Sequence, residues 1–235
     1  MTHLTRPMLR PSDRRQAQDS ICRSIVHHSS LQMSVGMSEP EVVHQLQVVR
    51  VARYVLQHPE ETWLFNYQAD PKALYVYTDT EWAADELTRK SVSCTVERYG
   101  SHMFDCSVAK QSLVPLSSRE AEFYGIVRAV GRQSKPHRSR SRSGCNSSDS
   151  SAARGICTRT GSGKVRHLSI KELGLQEAYR KKEFQLVSVD TLLNWADTGT
   201  KAHTSERLTS LLRQMPLRLR EGQTKALACH AVMNA

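Results

Sequence analysis

Three short apolar runs between residues 74 and 108 constrain the fold of this chain most. The first run, at 74–77, reads LYVY, and the second, at 92–97, reads VSCTVE. A Tyr-Gly pair follows the second run, and the third run lies near 102–108. Short runs rich in β-branched and aromatic residues that are separated by turn signals are typical of strands. The pattern therefore predicts a three-stranded antiparallel meander.

Helical patterns lie on both sides of this meander. Upstream, Ser38 and Pro40 are start signals and Pro59 is a stop, and between them apolar residues recur at three- and four-residue steps: Val42, Leu46, Val49, Ala52 and Leu56. A strand at 62–68 should follow this helix. Downstream, Ser117 and Glu120 form an S-x-x-E capping box that opens a helix over 118–131. We predict further helices at 149–158 and 167–181, a strand at 184–189 and a helical region after Trp195, which together make the chain a mixed α/β protein.

Composition limits the class of protein and of partner. The 235 residues suit one core domain with flanking segments, and 33 Lys and Arg against 23 Asp and Glu give a net charge of +10. Such an excess favours a polyanionic partner, although a basic surface alone would also account for it. No run approaches the ~20 apolar residues of a membrane span, and the first residues lack the apolar segment of a secretory signal. The six cysteines form no C-x-x-C pair, so we expect no zinc site and reduced, intracellular thiols.

The segment 131–148 contrasts with its surroundings. It reads GRQSKPHRSRSRSGCNSS and contains almost no apolar residue. Buried central strands are usually continuous runs of Val, Ile or Leu, so this composition predicts a disordered insertion or a decayed strand and an incomplete central sheet. A weaker alternative interprets the three Ser-Arg dipeptides as a splicing-type interaction segment.

Four acidic residues lie next to predicted elements: Asp79, Glu122, Asp149 and Asp197. Clustered carboxylates can hold two divalent ions about 4 Å apart for phosphodiester hydrolysis, and oxygen ligands suit magnesium. Asp197 by itself indicates nothing, and the other three residues also have ordinary interpretations. Asp79 can be a turn residue, Glu122 a charge that compensates a helix dipole, and Asp149 an N-cap.

Five motifs in order resemble the ribonuclease H domain of the Pol polyprotein of copia-type LTR retrotransposons. They are YTDTEWAAD at 77–85 with RKS at 89–91, LSSREAEFY at 116–124, DSSAA at 149–153, KVRHL at 164–168 and ADTGTK at 196–201. The helix from Val42 is similar to the connection between reverse transcriptase and ribonuclease H. The resemblance covers about residues 38–215, and no Y-x-D-D polymerase motif is present.

The resemblance implies a ribonuclease H-like fold and metal-dependent hydrolysis of RNA in RNA–DNA hybrids during reverse transcription. It makes Asp79, Glu122, Asp149 and Asp197 the catalytic metal ligands, for two Mg²⁺ ions or for Mn²⁺ in their place. Glu122 is chosen over Glu120 because it is the second acid of the E-A-E element. Helical spacing supports this choice, since Glu122, Ile126 and Ala129 share one face, and Glu120 is better used in the capping box. Basic residues near the motifs are candidates for contacts with nucleic acid: Arg89, Lys90, Lys110, Lys164 and Arg166. The alternative is a catalytically inactive, decayed fragment that keeps only nucleic-acid binding.

The same resemblance divides the chain into four parts. Residues 1–37 are expected to be disordered or a remnant of reverse transcriptase, and 38–69 form the connection helix and strand. Residues 70–215 form the ribonuclease H-like domain, with 131–148 as its disordered or decayed part, and 216–235 form a tail. We expect the protein to act inside the cell, without a membrane, in the cytoplasm or the nucleus.

Overall fold

The computed structural model of the chain describes residues 42–57, 62–71, 73–85, 87–133, 143–161, 170–201 and 203–218. Its strands are β1 Thr62–Trp63, β2 Ala73–Glu81, β3 Val92–Tyr99, β4 His102–Lys110, β5 Ser143–Ser148, β6 Phe184–Ser188 and β7 Leu217–Arg218. Its helices are α1 Val42–Gln57, α2 Ser118–Gln133, α3 Ser151–Thr158, α4 Ile170–Arg180 and α5 Ser205–Gln214. Two short 3₁₀ turns, Thr191–Leu193 and Trp195–Gly199, lie between β6 and α5.

A five-stranded mixed sheet with the order β4-β3-β2-β5-β6 forms the centre of the fold. The strands β2, β3 and β4 form the predicted antiparallel meander, with Leu74 opposite Tyr99 and Val92 opposite Lys110. The strands β5 and β6 continue the sheet in parallel with β2. This arrangement confirms the predicted mixed α/β class and the predicted order of a meander followed by helices and further strands.

Helix α2 packs on one face of the sheet because its apolar residues recur at helical spacing. Phe123, Ile126 and Ala129 are fully buried, and Ala129 shares a core cluster with Leu74 and Val76 of β2. The opposite face of the sheet is covered by the C-terminal part of the domain, where Trp195 and Leu212 pack on Cys94, Val96 and Met103. Both faces of β2 are therefore covered, and the carboxyl end of this strand is enclosed on both sides.

The prediction that 131–148 is disordered and that the central strand is lost is wrong for the residues that the structure describes. Helix α2 continues to Gln133, and 143–148 form β5, which pairs with β2 on one side and β6 on the other. Residues 134–142, with most of the Ser-Arg run, lie outside the described residues.

The strand β5 is buried without large apolar side chains because the end of α2 covers it with a polar group. Gly144 leaves room for the Gln133 side chain, and Gln133 Oε1 accepts a hydrogen bond of 3.0 Å from Asn146 Nδ2. Ladder hydrogen bonds to both neighbouring strands pair its backbone. None of the described β5 positions is an arginine, so the cost of burying guanidinium groups does not arise.

Several boundaries differ from the predictions. The predicted strand at 62–68 is confined to Thr62–Trp63, which pairs with Leu217–Arg218. Helix α3 begins two residues after Asp149, and its N-cap is Ser150, whose hydroxyl accepts from the Ala153 N–H. Asp149 is therefore not the N-cap. Helix α1 is present as predicted, but its apolar residues Val42 and Leu56 are 71% and 79% exposed. Within the described residues, no helix is both long enough and apolar enough to cross a bilayer.

A glycine at the contact between α2 and β2 gives a test of this packing. A β-carbon added at Gly125 would lie 2.6 Å from Thr80 Oγ1 and 3.0 Å from Thr78 Oγ1. We expect Gly125→Ala to lower the free energy of unfolding by about 1–3 kcal/mol, because the helix must move away from the strand. Urea denaturation followed by circular dichroism measures the change.

Gly131→Ala is the matched control, because it lies in the same helix and nothing lies within 4 Å of the added β-carbon. There the change should stabilise the protein by about 0.5–1 kcal/mol, the ordinary gain of alanine over glycine in a helix. Equal effects of the two substitutions would contradict the close contact at Gly125.

Candidate metal centre

Three of the four predicted acidic residues converge at one edge of the sheet. Asp79 lies near the carboxyl end of β2, Asp149 follows β5 directly, and Glu122 lies near the start of α2. Because β2 and β5 are parallel neighbours, their carboxyl ends meet at the same edge. One carboxylate oxygen from each residue lies within 4.8 Å of the others. This distance is short enough for one cation to bind all three.

Hydrogen bonds from the C-terminal part of the domain orient two of these carboxylates. The Thr200 hydroxyl donates to Asp79 Oδ2, and the Thr191 hydroxyl donates to Asp149 Oδ2 at 2.9 Å. The Asn194 side chain ties this segment to the strand, since its Nδ2 donates to the Thr78 carbonyl at 3.1 Å. The 3₁₀ turns therefore connect the site to the end of β2.

The cluster is electrostatically strained in the absence of a cation. The pKa of Glu122 is raised to about 9, chiefly by burial and then by the charges of Asp79 and Asp149. Burial also raises the pKa of Asp79, although Lys201 and the Thr200 hydrogen bond act against this rise. Like charges at short distance in a buried site disfavour ionisation. A bound cation would remove this penalty.

The donor set fits a hard divalent ion. All three side chains offer carboxylate oxygens, which are suitable ligands for magnesium and manganese. The cluster includes no thiol and no imidazole. Glu122 is only 8% exposed, and its Oε2 is a buried oxygen without a hydrogen-bond partner. Such an oxygen normally requires a ligand or a donor. Asp149 is partly exposed, which leaves the cluster open to solvent on that side.

Asp197, the fourth predicted ligand, does not belong to the three-carboxylate cluster. It is 3% exposed, and both of its oxygens accept hydrogen bonds from cations. Lys201 Nζ lies 3.0 Å from Oδ1, and Arg207 Nη2 lies 3.0 Å from Oδ2. Burial acts to raise the pKa of Asp197, but the hydrogen bonds from Arg207 and Lys201 outweigh it and the pKa is lowered. Asp197 is therefore an ionised carboxylate that is already paired.

The remaining acidic residues of the motifs have structural roles or lie outside the cluster. Glu120 is 1% exposed, and its carboxylate accepts hydrogen bonds of 2.8 Å from the Leu116 N–H and from the Tyr124 hydroxyl. The backbone N–H of Glu120 donates to Ser117 Oγ. The bond from the Glu120 N–H to Ser117 is one half of the predicted capping box, whereas the Glu120 side chain accepts from the N–H of Leu116 instead of that of Ser117. Asp85 accepts from Lys110 and Thr88, and these bonds hold its pKa well below the usual range. Glu81 is partly buried, and burial raises its pKa.

The five predicted nucleic-acid contacts differ in how accessible they are. Arg89 is exposed and has a positive φ of 56°, and Lys90 is partly exposed. Lys110 Nζ lies 2.8 Å from Asp85 Oδ2, so an intramolecular ion pair accounts for its charge. Lys164 and Arg166 lie outside the described residues. No observation tests these contacts, and all five remain predictions.

Thr200, Lys201 and Arg207 were not among the predicted site residues, although the first two belong to the ADTGTK motif. For Lys201, the spacing from Asp197 was a signal that could have indicated a role. Lys201 follows Asp197 by four residues, a distance at which opposite charges meet in helical turns. The link between Lys201 and Asp79 spans 122 positions, and spacing could not show it.

Comparison with known proteins gives distant structural likenesses. Neither a protein-family model nor a curated protein sequence matches the chain. The N-terminal RNase H domain of Rv2228c from Mycobacterium tuberculosis, solved as a maltose-binding protein fusion, is 13% identical with a TM-score of 0.38. That match covers 60% of this chain and 96% of that chain. LC11-RNase H1, solved in complex with an RNA/DNA hybrid, is 20% identical with a TM-score of 0.38, over 53% of this chain and 91% of that one.

A longer protein is also similar. Native protease–reverse transcriptase of prototype foamy virus is 12% identical with a TM-score of 0.37. The match covers 68% of this chain but 23% of the viral protein.

Proposed function

We propose that the chain is a ribonuclease H-type endonuclease that uses a divalent ion to hydrolyse RNA in RNA–DNA hybrids. The observation that carries this proposal is the convergence of Asp79, Glu122 and Asp149 within 4.8 Å at the edge of the sheet. The ordered strand β5 supports it, because β5 places Asp149 beside the end of β2.

The residues of the site have two roles, which are to bind the ion and to orient the carboxylates that hold it. Asp79, Glu122 and Asp149 would hold Mg²⁺ or Mn²⁺, and Thr200 and Thr191 fix the orientation of two of these carboxylates. When bound there, the ion supplies positive charge for the phosphate oxygens and acidifies a water molecule. The partly exposed side of Asp149 is where a phosphate can approach, and Arg89 and Lys90 are our candidates for contacts with the nucleic-acid backbone.

A cleavage assay with labelled substrates tests this function. We expect the full chain with Mg²⁺ to cut the RNA strand of an RNA–DNA hybrid and to leave duplex DNA and duplex RNA intact. Addition of EDTA should abolish the cut, and Mn²⁺ should restore it. No hybrid cleavage with either ion, by protein that is folded by circular dichroism, would contradict the proposal.

The second candidate is a fragment that binds nucleic acid without cutting it, and the net charge of +10 favours this candidate. We expect the chain to bind hybrids and duplexes weakly in either case, with an affinity that falls steeply as salt increases, because counterions are released on binding. Fluorescence anisotropy between 50 and 200 mM salt, values that span ordinary ionic strength, measures this dependence. Binding that is insensitive to salt would contradict it.

We further propose that the chain derives from a copia-type retrotransposon Pol polyprotein. The support is the order of the five sequence motifs along residues 38–215. Reverse transcriptase coding sequence in frame and directly upstream in the DNA would test the origin, and unrelated upstream sequence would contradict it.

A further inference from the structure

The ammonium group of Lys201 lies between the metal centre and the fourth acidic residue. Its Nζ is 3.0 Å from Asp197 Oδ1 and 3.4 Å from a carboxylate oxygen of Asp79. Lys201 therefore connects Asp79, a member of the cluster, to Asp197, which lies outside it. A second divalent ion shared by Asp79 and Asp197 would have to occupy this same region.

Each oxygen of Asp197 already accepts a hydrogen bond from a cationic side chain. Lys201 holds Oδ1, and Arg207 Nη2 holds Oδ2 at 3.0 Å. Arg207 is itself fixed, because it also donates to the carbonyl oxygens of Thr191 and Leu192. A divalent ion would need to displace a lysine and to compete with an anchored arginine.

The charges of the contacting groups agree with one ion. Asp79, Glu122, Asp149 and Asp197 carry four negative charges when ionised, and Lys201 and Arg207 neutralise two of them. The two charges that remain equal the charge of one divalent ion.

We propose that the Lys201 ammonium takes the place of a second divalent ion, so that the centre binds a single ion at Asp79, Glu122 and Asp149. Lys201 is then a positioning residue that holds Asp79 and Asp197 in fixed orientation and supplies charge beside the ion. This inference rests on the proposed metal centre and replaces the sequence-based expectation of two ions.

Counting bound Mn²⁺ tests the proposal without any measurement of cleavage. Isothermal titration calorimetry and electron paramagnetic resonance of free Mn²⁺ give the number of sites on the full chain. We expect one site in the wild type, two in Lys201→Ala, and one in Lys201→Arg, which keeps the positive charge. Lys181→Ala is the matched control. The side chain of Lys181, which follows α4 directly, is 60% exposed and forms an ion pair with Glu177, so this variant should keep one site.

Each other outcome contradicts a different statement. Two sites in the wild type, or one site in a Lys201→Ala protein that is folded by circular dichroism, would overturn the role of Lys201 and leave the metal centre intact. No site in the wild type would overturn both this inference and the proposed function. If Lys201→Ala does not fold, the wild-type count still decides, and Lys201→Gln, which keeps the length of the side chain better, replaces it in the comparison.

Discussion

Asp79→Asn should reduce Mg²⁺-dependent cleavage of an RNA–DNA hybrid by about a thousandfold or more, because a bound ion contributes several kcal/mol to the reaction. Asp79 is the most buried of the three clustered carboxylates, and it also contacts Thr200 and Lys201. Asparagine keeps the shape and one acceptor oxygen, so the Thr200 hydrogen bond can persist while the negative charge is lost. Single-turnover cleavage under excess protein measures the effect.

The control for this experiment removes a carboxylate far from the cluster. Glu177 is 57% exposed on α4, where it pairs with Lys181, so Glu177→Gln should cleave at the wild-type rate. Circular dichroism and thermal melting must show that Asp79→Asn is folded. Full activity in a folded Asp79→Asn protein would remove Asp79 from the site and would contradict the proposed function.

The sequence predicted the meander and the capped helix from local signals, whereas the four candidate carboxylates came from the resemblance of the motifs, and the structure brings three of these four together. Alternating apolar runs define β2 to β4, and Ser117 defines the start of α2. The choice of Glu122 over Glu120 rested on the place of Glu122 as the second acid of the E-A-E element, and helical spacing supported it. The structure agrees, since Glu120 faces Leu116 and Tyr124 while Glu122 faces Asp79 and Asp149.

The strand β5 could not be predicted because its burial depends on a distant partner. SGCNSS has no apolar pattern, and it becomes a core strand only because β2 and β6 pair with it and Gln133 covers Gly144 and Asn146. The ion pairs of Asp197 could not be predicted for a similar reason. Its motif does not show that Lys201 and Arg207 would converge on it, because the Arg207 contact depends on how α5 packs against the 3₁₀ turns.

Glu122→Gln should make the metal-free protein more stable at neutral and alkaline pH. The pKa of Glu122 is about 9 in the folded protein, whereas an unfolded glutamate has an ordinary pKa near 4.3. Between these values the unfolded chain releases a proton that the folded protein retains, so rising pH favours unfolding. Glutamine has no such proton. We therefore expect the free energy of unfolding of Glu122→Gln to exceed that of the wild type by an amount that grows by about 1–3 kcal/mol from pH 5 to pH 8.

Adding Mg²⁺ should reverse the order of stability, so that the wild type becomes more stable than Glu122→Gln. The ion requires ionised carboxylates, so binding should stabilise the wild type, and more strongly as pH rises towards 9. Glu122→Gln lacks one of the three ligand oxygens and should gain little. Urea denaturation at each pH, with EDTA or with Mg²⁺, measures both effects, and Glu177→Gln should behave as the wild type in each series.

If the difference in the free energy of unfolding between the wild type and Glu122→Gln is the same at pH 5 and pH 8, Glu122 titrates normally in the folded protein. The carboxylate would then be better solvated than its 8% exposure indicates. Equal stabilisation of both proteins by Mg²⁺ would place the ion elsewhere. Because stability is measured without substrate, these outcomes separate a failure of metal binding at Glu122 from a failure of hybrid cleavage.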